Sequence, residues 1–292
     1  MGALYCNIRC MQWNMKTNMK KQSDFSSDQF AKLMNLFNKK GWLIDTNCDI
    51  STFKRYVDML SQLSKEQQDF VIEISERFLH IGIDKYSDKL LEPLKRLRSD
   101  FPDDLMVIAP CLSEEEQGEI KSGSVVLYQL SGNSIKTKVN LGKHSICRSK
   151  LDDFMSNLNN DKLKVVLVDD FVGTGESAWN AVQYVKKNRP SLECKDIVIV
   201  CIVAMQTGIE YLTEKGIHTY CTHIEKKGIS DYYSGSTLEH ATKLMSEIEA
   251  KIKVKENFHF GYGHSEALVC MERCPNNTFP IYWLRKNAPY AR

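Results

Sequence analysis

Four short runs of apolar, β-branched residues constrain this chain more than any other feature: "LMVIAP" at 105–110, "KVVLV" at 164–168, "DIVIVCIVA" at 196–204 and "IHTYCT" at 217–222. In the first three the apolar residues are continuous rather than alternating. Such strands are buried on both faces, which is the condition of a parallel sheet. Helical periodicity fills two of the intervals, at 178–189 and at 208–215, the second closed by Gly216. Strands alternating with helices predict an α/β fold, a parallel sheet with helices on both faces. The later stretch "STLEHATKLMSEIEAKIK" reads as one more helix, on the rim of that sheet.

The first hundred residues follow a different grammar. Apolar residues recur at three-four spacing, as Phe30, Leu33, Met34 and Phe37, then Phe53, Tyr56, Val57 and Leu60, then Phe70, Val71, Ile74 and Phe78. This predicts an all-helical segment preceding the sheet, with Ser26, Ser27 or Asp28 capping the first helix and Gly41 ending it. An aromatic stripe at this spacing is read as core rather than as a binding face. The expected division is a loose tail over 1–24, a helical extension over 25–100 and an α/β domain over 101–292. Met11, Met15 and Met19 are alternative starts.

Composition narrows the function classes. The 292 residues carry 39 basic and 37 acidic side chains, a formal charge of +2, too small to bind nucleic acid by net charge alone. No apolar run reaches the roughly 18 residues of a membrane span. Ten cysteines are scattered through the chain, several inside apolar runs, and reduced thiols in a cytoplasmic protein account for them. Cys6 with Cys10 and Cys270 with Cys274 have C-x3-C spacing, but without a second matched pair no thiol-ligated metal is expected.

The chemistry concentrates in "KVVLVDDFVGTGESAWNAV", residues 164–182. Ligands of parallel α/β sheets sit beyond the carboxyl ends of the strands, where Asp169 and Asp170 fall. The loop Gly173, Thr174, Gly175, Glu176 and Ser177 then leads into a helix N-terminus, whose free N–H groups and dipole favour an anion. Glycines admit a phosphate closely, and the Thr174 and Ser177 hydroxyls add uncharged donors. The adjacent carboxylates would repel a phosphate but accept hydrogen bonds from vicinal hydroxyls, and ribose 5-phosphate has both groups. The competing reading is a plain strand-to-helix turn capped by Ser177.

The stretch "VVLVDDFVGTGES" resembles the phosphoribosyl pyrophosphate signature of the type I phosphoribosyltransferases. The resemblance implies that Asp169 and Asp170 hold the ribose hydroxyls, that residues 173–177 cradle the 5′-phosphate, and that Mg²⁺ rides on the ligand's pyrophosphate. It also implies a pyrophosphate loop after the first strand, for which Lys121, Ser122 and Gly123 are the candidates; a solvated lysine beside an acidic run is the alternative. A flexible catalytic loop would fall within "SGNSIKTKVNLGKHSICRSK", with Lys136, Lys138, Lys143 and Arg148 as its cations. Tyr232 and Tyr233 stand where relatives place nucleobase contacts, or else pack on their own domain.

The helical extension and the final block, with its "GYGHS" segment and His264 as a candidate acid or base, resemble phosphoribosyltransferase-like proteins of bacterial conflict and anti-phage defence systems, including retron-associated ones. That resemblance implies displacement or cleavage at ribose C1′ of phosphoribosyl pyrophosphate or a nucleotide, with a reverse transcriptase and its nucleic acid as a candidate partner, and leaves room for an oligomer. A non-catalytic nucleotide sensor or interaction module is the alternative.

Overall fold

The computed structural model describes residues 25–46, 48, 50–141, 145–149 and 162–291. The tail over 1–24, its alternative starts, Cys6, Cys10 and Lys143 lie outside the described residues. In chain order the elements are α1 (Ser27–Lys40), α2 (Thr52–Leu60), α3 (Lys65–Ser75), β1 (Leu79–His80), α4 (Tyr86–Asp100), β2 (Leu105–Pro110), α5 (Ser122–Ser131), α6 (Asn133–Lys138), β3 (Ser145–Cys147), β4 (Leu163–Val168), β5 (Phe171–Val172), α7 (Glu176–Asn188), β6 (Ile197–Met205), α8 (Gln206–Glu214), β7 (His218–Glu225), α9 (Gly235–Lys251) and β8 (Val269–Cys270). They form two compact units: residues 1–79 with 228–292, and residues 80–227.

The second unit is the parallel sheet, ordered β3-β2-β4-β6-β7, with short β5 pairing the carboxyl-terminal part of β6. Val107, Val165 and Ile197 lie side by side in register, as do Ala109, Leu167 and Ile199. These rows pack with Ala181, Val182 and Val185 of α7 and Leu212 of α8 in one buried core. On the opposite face α4 contacts β6 and β7, and α5 contacts β2, β3 and β4. From β2 the chain crosses outward to β3, then returns to β4 on the other side of β2. Strand order therefore reverses between β2 and β4, and helices α5 and α7 leave that point on opposite faces. A crevice opens at the carboxyl ends of strands where order reverses in this way.

The first unit closes a separate core around α1, α2, α3 and α9. Ser26 accepts the Gln29 N–H on its hydroxyl at 3.3 Å, and Gly41 ends α1 at φ +66°, as the sequence predicts. Phe37, Phe53, Tyr56, Phe70 and Phe78 are buried in this core, and Tyr282 and Phe279 from the end of the chain join them. The Phe78 and Tyr290 rings stack with centroids 5.0 Å apart. Helix α9 differs from its expected place on the rim of the sheet: Ala241, Leu244, Met245 and Ile248 enter this core, against α3. Conversely α4, the last of the helices before the sheet, packs on the sheet itself.

Candidate functional site

The acid pair is pinned by backbone at the end of β4. The Asp169 N–H donates to Val200 O at 3.1 Å, and Asp170 O accepts from Ile202 and Val203 N–H at 3.2 and 3.1 Å. Asp169 is half-buried, and its Oδ1 accepts the Ser122 hydroxyl at 2.6 Å and the Asp170 N–H at 2.9 Å. Its Oδ2 has no protein donor among the described residues. Asp170 is only 6% exposed, and its Oδ2 accepts the Tyr86 hydroxyl at 2.7 Å. Burial pushes both carboxyls up, Asp169 well above its usual range, with the neighbouring Asp170 charge adding to the shift. Tyr86 escapes sequence reasoning because it sits in register with the apolar Leu90, Leu94 and Leu97 of α4, where a tyrosine reads as core.

The start of α5 lies against the same strand ends. A Cβ on Gly123 would sit 2.7 Å from Val168 O and 3.0 Å from Cys111 N, so the helix approaches β2 and β4 closely only because residue 123 is glycine. Ser122 is thus brought within hydrogen-bond distance of Asp169. The Lys121 ammonium, however, pairs with Glu119 at 2.8 Å and Glu116 at 3.6 Å, and Glu119 above all holds its pKa up.

Beyond β5 the glycine loop turns into α7. Gly175 is the N-cap residue of that helix at φ +84°, a left-handed conformation open to glycine. Ser177 therefore does not cap the helix; it is the second helical residue, exposed, and the Glu176 N–H is met instead by Thr174 Oγ1 at 3.5 Å. The glycines also serve packing. A Cβ on Gly208 of α8 would lie 2.2 Å from Gly173 O, and one on Gly175 would lie 2.9 Å from Gly208 O. Loop and α8 meet glycine to glycine, leaving Glu176 and Ser177 on the exposed side.

Of the expected catalytic-loop cations, Lys136 and Lys138 fall elsewhere. Helix α5 starts at the carboxyl ends of the strands, and its ten residues carry the chain about 15 Å toward the amino ends before α6 begins. Lys138 accordingly shares a cleft with Lys95, Arg98 and Ser99 from the end of α4 and with Pro102 from the turn that precedes β2. Arg148, following edge strand β3, is exposed at the carboxyl side, its N–H donating to Ile108 O at 2.8 Å.

Tyr232, Tyr233 and His264 belong to the first unit. The Arg77 guanidinium lies 4.3 Å from the Tyr232 ring centroid, and Tyr232 is 49% exposed. Tyr233 donates to Glu73 Oε1 at 2.6 Å; burial first, and then this carboxylate, raise its phenol. His264 is exposed at φ +50°, its ring stacked on Phe260. The "GYGHS" turn is tied down: a Cβ on Gly261 would lie 1.9 Å from Asn277 O, and Ser265 donates to the Tyr262 and Asn277 carbonyls. His259 is held by its Nδ1, which lies 2.9 Å from Oε2 of fully buried Glu249. Sequence gave no sign of it, because the two residues pair across the end of α9.

Solved structures similar to this chain include an APRTase from Giardia lamblia complexed with 9-deazaadenine, at 15% identity and a TM-score of 0.32, covering 49% of this chain and 83% of that one. An orotate phosphoribosyltransferase from Aeropyrum pernix aligns at 16% identity and a TM-score of 0.29, covering 56% and 74%. A xanthine-guanine-hypoxanthine phosphoribosyltransferase from Helicobacter pylori aligns at 8% identity and a TM-score of 0.30, covering 51% and 84%. No curated protein matches the chain. Among the described residues no helix is long and apolar enough to cross a membrane. Residues 76–291, spanning the sheet, the acid pair, the glycine loop and the final block, match one family model, and the chain belongs to the PRTase-CE family, with a type I phosphoribosyltransferase-like fold.

Proposed function

We propose that the protein binds a ribose 5-phosphate ligand, phosphoribosyl pyrophosphate or a nucleotide, in the crevice at the carboxyl ends of β2 and β4, and transfers or cleaves at ribose C1′. The observation that carries this reading is the juxtaposition at one strand end of Asp169 Oδ2, without a donor among the described residues, and the glycine loop that opens α7. The open carboxylate oxygen accepts ribose hydroxyls. The 5′-phosphate meets the N–H groups at the start of α7, with Thr174 and Ser177 adding hydroxyl donors. Asp170, fixed by Tyr86, holds the negative field that favours an oxocarbenium-like centre at C1′.

The chemistry of the donor set, the adjacent carboxylates of Asp169 and Asp170, would suit a Mg²⁺ delivered with a pyrophosphate. Bound there, it would help to spread the charge of a departing pyrophosphate. Lys121 contributes to the same neutralisation by exchanging Glu119 for the leaving group, and Ser122 and Gly123 bring its backbone to the site. Tyr232, Tyr233 and His264 belong to the first unit and are assigned no part in this strand-end site. An effector role in a bacterial defence system, beside a reverse transcriptase and its nucleic acid, is the setting that the helical segment and the final block suggest.

The test is incubation of the full chain with phosphoribosyl pyrophosphate, Mg²⁺ and a nucleotide pool, followed by mass spectrometry. Release of pyrophosphate or a free base by the wild type, lost in Asp169→Asn, supports the enzyme. Ribose 5-phosphate binding by calorimetry without any product would make the site a sensor, and no binding would remove the reading altogether.

A further inference from the structure

The first unit contains a recess of about 300 Å³ that none of the chemistry above uses. Its apolar lining is Met59 from the end of α2 and Leu63 just after it, with Ile281 and Ala288 from the final segment, all buried, and Gln62 and Asn287 add uncharged polar groups. Its rim is cationic, formed by Lys251 at the end of α9 and Arg285. Both cations are partly engaged, the Lys251 ammonium with Gln67 Oε1 at 2.8 Å and the Arg285 guanidinium with Lys251 O at 3.1 Å. Neither has a carboxylate partner among the described residues. The nearby acids are committed elsewhere, Asp58 to Lys54 and Glu247 to Gln67 and Lys243.

An apolar floor under two unneutralised cations selects for a ligand with matching halves. Apolar surface is favourable to bury, and each cation keeps spare N–H donors for an anionic head. The volume stands at the lower end of the roughly 300–1,000 Å³ of ligand pockets, which suits a small molecule better than a folded partner. We propose that this recess binds a small amphiphilic anion, a compound with a short apolar body and one carboxylate, with Arg285 and Lys251 as its counter-charges. The site is separate from the strand-end crevice in its residues and its chemistry.

Three probes test it on the full chain by calorimetry: octanoate, uncharged 1-octanol of the same length, and acetate, the head without the body. The expected result is saturable 1:1 binding of octanoate, with 1-octanol and acetate at least ten-fold weaker. Arg285→Gln combined with Lys251→Gln should remove the preference for octanoate over 1-octanol and leave the melting temperature of the unliganded chain unchanged. If the double variant unfolds, Arg285→Gln alone should still narrow the preference several-fold, and so should rising salt with the wild type. Absence of saturable octanoate binding, equal binding of octanoate and 1-octanol, or a preference that survives the substitutions would each overturn the proposal. A peptide with a free C-terminal carboxylate that binds ten-fold tighter than octanoate would overturn the small-molecule assignment.

Discussion

Tyr86 donates its hydroxyl to Asp170 Oδ2 at 2.7 Å, joining the first turn of α4 to the end of β4, with Tyr86 only 1% exposed. The pair sits where water cannot replace a lost partner. Tyr86→Phe leaves a buried carboxylate oxygen without its donor and should cost about 1–3 kcal/mol of stability, read by urea unfolding. Because the hydroxyl favours the charged form of Asp170, its loss also pushes that carboxyl further up. An unchanged unfolding midpoint would show that the bond contributes nothing to the fold.

Two neighbouring carboxyls raised from their ordinary value of 3.8 set the pH dependence. Such groups bind more protons in the folded chain than in the unfolded one between 3.8 and their folded values. Stability therefore falls as pH rises through that window and stays reduced above it. The wild type should gain melting temperature as pH drops from about 7 toward about 5, and Asp169→Asn should shrink that gain while being no less stable at neutral pH. The same variant should lose ribose 5-phosphate binding in calorimetry. A variant with an unaltered pH profile would refute the electrostatic account, and one with unaltered affinity would refute the ligand assignment.

The contact between Gly173 and Gly208 has no room for a methyl group. Gly208→Ala places a Cβ 2.2 Å from the Gly173 carbonyl oxygen, well inside contact distance, and should destabilise by roughly 1–3 kcal/mol while displacing the loop. Gly175→Val adds a β-branched residue at φ +84° and should cost as much or more. Both variants should bind ribose 5-phosphate more weakly than wild type, and full affinity in either would mean that the loop does not position the phosphate.

Ser177→Ala is a cleaner probe than a capping serine would have been. Ser177 is exposed and does not cap α7, so the substitution should change stability by no more than about 0.5 kcal/mol. If its hydroxyl holds the phosphate, affinity should drop by about 1.5–3 kcal/mol. Equal affinity in variant and wild type, measured side by side by calorimetry, would leave residues 173–177 as a turn.

The sequence by itself determined the sheet and the place of the acid pair at its strand end. Residues 105–110 form β2 as predicted, and 164–168 and 196–204 match β4 and β6 to within a residue at each end, because strands buried on both faces must be continuously apolar. Ser26 and Gly41 bound α1 because capping is a local transaction between a side chain and its own helix end. The acid pair was legible for the same reason, since it follows directly from where β4 stops. Strands β3 and β5, three and two residues long, are too short to leave a period, and only pairing with β2 and β6 defines them. Tertiary structure alone decided that Tyr86 reaches Asp170, that Ser122 reaches Asp169, and that Glu119 claims Lys121. It also sent Lys136 and Lys138 to the amino ends of the strands, and drew α9, Phe279 and Tyr282 into one core with α1–α3. Periodicity records which face of an element is buried; it does not record which distant element buries it, and these contacts join residues from separate stretches of the chain.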